Sequence, residues 1–79
     1  MSIEENWEYR QLRSCVVSVQ SNEARRGVMS TGERLTVALI LNRSDWLAEE
    51  QYTIADAVAR VGERWMEFVH PLSREFRNF

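Results

Sequence analysis

The apolar positions of this chain recur mostly at helical spacing. Between residues 54 and 69, Ile54, Ala57, Val58, Val61, Trp65, Phe68 and Val69 fall within a sector of about 120° when successive residues turn by ~100°. Asp56, Arg60, Glu63, Arg64 and Glu67 take the other side. Thr53 suits the cap position, and Asp56 follows three residues later, as in a capping box. His70 and Pro71 mark the end, because the residue before a proline avoids the helical region. The pattern predicts one uninterrupted helix over 54–69, with Val61 and Trp65 in the core, and a short terminal helix over 72–78.

The stretch "STGERLTVALILNR", residues 30–43, is apolar nearly all the way round. Ser30 and Glu33 form a capping box at its start. The stripe Leu35, Ala38, Leu39 also extends backwards in phase to Val28 and Ala24. That continuity predicts a helix running from about 22 to 43, bent near Gly27 or Gly32. One side, Leu35, Ala38 and Leu39, is to be covered by the 54–69 helix. The other side, Val37, Ile40 and Leu41, is to be covered by Leu12, Val16 and Val19. Residues 30–43 thus read as the central helix of a bundle.

Residues 3–20 are less uniform. Leu12, Cys15, Val16 and Val19 share a helical face, while three valines within four residues favour a strand near 14–20. Ser2 and Glu5 offer a further capping box. The expected fold is all-α, a single domain over 1–79 with three or four helices (about 3–20, 22–43, 54–69 and 72–78) and a short N-terminal strand as the alternative for 14–20.

Composition narrows the setting. A chain of 79 residues buries only about 60% of its unfolded surface, so it gains from a partner or a second copy. Cys15 is the single cysteine, which excludes an intrachain disulfide and suits a reducing compartment. The acidic start "MSIEENWEYR" carries no apolar leader, and no apolar run approaches the ~20 residues of a membrane span. These features point to a cytoplasmic protein. All ten basic residues are arginine, a usage that fits a GC-rich bacterial or phage genome. The net charge is −2, split as +1 over residues 1–43 and −3 over 44–79. Neither half offers the basic surface that nucleic acids require.

The candidate chemistry is sparse. Cys15 and His70 are each alone of their kind, with nothing local to activate either. Glu67 and His70 have the Glu-x-x-His spacing of di-iron bundles, but a single motif cannot complete such a site. Residues 53–69 superficially resemble a helix-turn-helix with Gly62 as the turn; Glu63 and Pro71 fit that pattern badly. A ribbon-helix-helix would use the 14–20 strand. These observations argue against an enzyme and call for no cofactor and no metal.

The expected function is a small protein-interaction module, a regulator or inhibitor that occupies a partner's surface, with a DNA-binding regulator as the alternative. Trp46 is a potential interface anchor. The tail "SREFRNF" interleaves Arg74 and Arg77 with Phe76 and Phe79, which suits an acidic partner. Trp46, Phe76 and Phe79 are the candidate interface residues, joined by Val37 and Leu41 if residues 14–20 form a strand rather than a covering helix, and a homodimer is expected because one chain offers too few elements to cover them.

Overall fold

The computed structural model describes residues 3–77. Five α-helices run through them: α1 (Trp7–Ser21), α2 (Thr31–Ile40), α3 (Ser44–Glu49), α4 (Ile54–Val61) and α5 (Glu63–Phe76). Two 3-10 segments, Ile3–Glu5 and Glu23–Val28, precede α1 and α2. No strand occurs among the described residues, so the all-helical expectation holds and the strand at 14–20 does not. That segment lies in α1, where Leu12, Val16 and Val19 are buried at helical spacing. A ribbon-helix-helix would need this segment as a strand, and here it is helical.

Caps decide where the helices begin. Asn6 Oδ1 accepts from the N–H groups of Glu8 (2.8 Å) and Tyr9 (3.3 Å) and starts α1. Ser30 and Glu33 form the full capping box of α2: Ser30 Oγ accepts from the Glu33 N–H, and Glu33 Oε1 accepts from the Ser30 N–H at 2.9 Å. Thr53 Oγ1 accepts from the Asp56 N–H at 3.0 Å and starts α4. The proposed Ser2 cap lies outside the described residues.

Three expected boundaries are corrected. First, residues 22–43 are not one helix. Met29 and Ser30 are extended, so the 3-10 segment ends before α2 begins, and Val28 is 86% exposed although its spacing matches the α2 stripe. Second, 54–69 is not one helix. Gly62 adopts φ 87° and ψ 162°, which separates α4 from α5. Third, Pro71 does not stop a helix; it lies inside α5, and residues 72–76 continue that helix. Proline removes one backbone hydrogen bond, to Glu67, on a turn where Glu67 and His70 are exposed. Burial of Phe68 and Leu72 on the opposite side carries α5 through it.

Helix α2 is the centre of the bundle, as the pattern predicted, and packs against α1, α3, α4 and α5. Leu35, Thr36, Val37, Ala38 and Ile40 are all buried. Thr36 meets its hydrogen-bonding need within the helix, donating to the Gly32 carbonyl at 2.6 Å. Helices α1 and α5 are tied by an edge-to-face pair, Tyr9 and Phe68, with centroids 5.8 Å apart. Glu8 adds a polar tie, accepting from Trp65 Nε1 at 3.2 Å and pairing with Arg64 at 2.6 Å. Trp65 and Val61 are partly buried against the core. Ile54 (61% exposed) and Val58 (38% exposed), which shared their stripe in the sequence, face outward because the break at Gly62 reorients α4.

The α2 box predicts an acid-sensitive contribution to stability. The hydrogen bond from the Ser30 backbone holds the Glu33 carboxyl below the ordinary carboxylate value, and Gln11 acts in the same direction. A carboxyl lowered on folding stabilises the fold above its unfolded pKa, and that contribution fades as pH falls through the folded value. Thermal melts taken downward from pH 4.5 should therefore show a falling midpoint. Glu33→Gln keeps the capping geometry but cannot titrate, so its melts should lose part of that slope. An identical slope in both proteins would remove Glu33 from this role.

Candidate functional site

A surface groove of about 730 Å³ lies where the C-terminal ends of α1, α2 and α5 meet. The turn after α2 shapes one wall. Asn42 has φ 57°, the left-handed conformation that ends many helices, and asparagine tolerates it better than most residues. The Arg43 N–H donates to the Ala38 carbonyl at 2.8 Å and the Asn42 N–H to the Leu39 carbonyl at 3.2 Å, a Schellman arrangement. The chain thereby reverses sharply into α3, which carries Trp46 back against the groove.

Trp46 is 3% exposed and is covered by arginine. The guanidinium carbons of Arg26 and Arg43 each lie 4.2 Å from its ring centroid. Such stacking attracts the cation to the ring face and covers apolar area with an alkyl stem. Asp45 fixes Arg43 with two hydrogen bonds, 3.0 and 2.8 Å, and Glu49 lies 3.4 Å from Arg26. The hydrogen bonds from Arg43 hold the Asp45 carboxyl below its ordinary value. Arg26 Nε is buried with no hydrogen-bond partner among the described residues, so the ring face is the attraction that offsets its desolvation.

The groove brings together Leu41, Trp46 and Phe76, three of the candidate interface residues, from the middle and the C-terminal part of the sequence. Leu41 and Phe76 are partly exposed on it, beside Leu39. Val37 is fully buried in the core. Phe79 lies outside the described residues. Sequence reasoning missed Leu39 and Arg43 as groove residues, while Arg77 belongs to the tail that it singles out. Arg43 stands three residues before Trp46, a spacing that could have suggested the stack; nothing in the sequence ties Arg26 to it.

The catalytic and metal alternatives gain no geometry. Cys15 Sγ faces Glu33 Oε2 at 3.9 Å, while His70 is exposed on α5. Burial, and then the Glu33 carboxylate, push the Cys15 thiol up, which disfavours a nucleophilic thiolate. Among the described residues no group of three His, Cys, Asp or Glu side chains is placed to hold a metal ion. No helix among them is long and apolar enough to cross a membrane. Comparison of the chain with protein-family models, with curated proteins and with solved structures finds no match.

Proposed function

We propose that the protein is a non-enzymatic interaction module, a regulator or inhibitor that seats an apolar segment of a protein partner in the groove between α1, the α2–α3 turn and α5. The carrying observation is the group Leu39, Leu41 and Phe76, left partly exposed around a concave surface with a fixed wall. Apolar side chains in a preformed groove favour binding because little must be ordered on association. A second copy of the chain is the proposed occupant in the absence of another partner, since a dimer adds buried area to a small domain.

The helix-turn-helix alternative draws no support from the break at Gly62. A single residue joins α4 to α5, where that motif uses a turn of about three or four. The start of α5 carries Glu63 and Glu67, which would repel phosphates.

Light scattering at micromolar concentration tests the proposal directly. Wild-type protein should give twice the 9.3 kDa of one chain, and a folded Leu41→Asp variant should give one. Where a different protein occupies the groove, affinity capture from the native host should recover it with wild type and lose it with Leu41→Asp. A monomeric wild type whose captured proteins are unchanged by Leu41→Asp would overturn the assignment.

A further inference from the structure

The opposite face of α5 lines a second cleft, of about 700 Å³, along the seam with α1. Three arginines converge there. Arg10 and Arg13 come from α1 and Arg74 from α5, more than 60 positions away in the sequence. Glu75 is the one carboxylate among the described residues of the lining, and it is engaged with Arg13, whose Nε donates to Glu75 Oε2 at 2.6 Å. The described residues of the lining thus include three arginines and one carboxylate, in a chain whose net charge is −2.

Helix electrostatics do not account for this grouping. Arg74 lies in the last turn of α5, where the helix dipole favours a cation. Arg10 lies near the start of α1, where the dipole opposes one, and Arg13 lies in its middle. Glu75 pairs with Arg13. Arg10 has contacts of its own within the chain. Among the described residues, no ion pair engages Arg74, which is exposed. The remainder of the cleft is apolar: Tyr9 forms a buried aromatic wall, Pro71 flanks it, and Ile3 is exposed at the rim.

We propose that the α1–α5 cleft docks an acidic segment of a protein partner. The segment's carboxylates pair with Arg74, in the added positive field of the neighbouring Arg10 and Arg13, and an apolar side chain sits against Ile3 and Tyr9. Guanidinium groups suit carboxylates because their donors match both oxygens at once. The partner is a peptide chain rather than a nucleic acid, since a chain of net charge −2 lacks the broad basic surface that phosphate backbones require. This site lies apart from the groove of the proposed function, and its test is independent of that reading.

The test is fluorescence anisotropy with a labelled peptide of repeating Glu-Glu-Leu, its Lys-Lys-Leu counterpart and a labelled mixed-sequence single-stranded DNA. The acidic peptide should bind saturably, in preference to the other two, and more weakly as salt is raised. Arg74→Glu should weaken it about tenfold or more and Arg74→Gln by less, with helical circular dichroism unchanged in both. Arg60→Glu, an exposed reversal on α4, should leave the affinity as it was. Absence of saturable binding to the acidic peptide overturns the proposal, as does equal binding to the basic peptide, tighter binding to DNA, or indifference to folded Arg74→Glu.

Discussion

Truncating Leu35 to alanine should remove about 2–5 kcal/mol of stability, the range for a leucine deleted from a packed core. Leu35 has no exposed surface and sits in the helix that touches α1, α3, α4 and α5 at once. With no free end to relax toward, the space left by its lost methyl groups would stay largely unfilled. At roughly 0.05–0.15 kcal/mol per residue, a chain of 79 residues has only about 4–12 kcal/mol in total. The variant should therefore melt far below wild type, by about 4–8 °C for each kcal/mol lost. Thermal unfolding followed at 222 nm measures this, and a midpoint within a degree or two of wild type would place Leu35 outside the core.

Gly62→Ala should have the next largest effect, for a different reason. An added Cβ at this position meets nothing within 4 Å, so no neighbour opposes it. The backbone does: φ 87° with ψ 162° is a region essentially reserved for glycine, and forcing another residue into it costs about 1–3 kcal/mol. Alanine is also the best helix former, so the chain has an alternative in which position 62 becomes helical. Helices α4 and α5 would then fuse into one rod over 54–76, about 34 Å long at 1.5 Å per residue. That rod would nearly equal the 36 Å long axis of the whole molecule and would draw Ala57 away from α2. The expected result is a lower melting midpoint with undiminished helical dichroism. A midpoint equal to that of wild type would mean that residue 62 does not need its glycine conformation.

These two variants show where the sequence was legible and where it was not. Side-chain caps are local, so Ser30 with Glu33 and Thr53 with Asp56 marked their helix starts correctly. Leu12, Val16, Val19, Leu35 and Ala38 were readable as core from spacing alone. Gly62 appeared as a turn only in the superficial helix-turn-helix pattern, and periodicity did not mark it as a break. A glycine within a continuous stripe costs a helix only about 1 kcal/mol, so periodicity on both sides fits one helix as well as two. Pro71 misled in the other direction, because tertiary packing of Phe68 and Leu72 outweighed one lost hydrogen bond. Short α3 has too few residues to show a period. In the groove, Leu41, Trp46 and Phe76 stood out as large apolar residues needing cover. The cover that Trp46 receives within its own chain depends on Arg26, twenty positions upstream, which no local pattern could supply.

The stack on Trp46 makes the molecule its own optical reporter. Its three indoles occupy unlike surroundings: Trp7 is largely exposed, Trp65 donates its N–H to a carboxylate, and Trp46 lies between two cations. A collisional quencher dissolved in the medium reaches the first freely and the last only when a guanidinium lifts from the ring. In a chain with the other two indoles replaced by phenylalanine, the emission lifetime of Trp46 would follow the opening and closing of the groove wall in real time, without any attached dye.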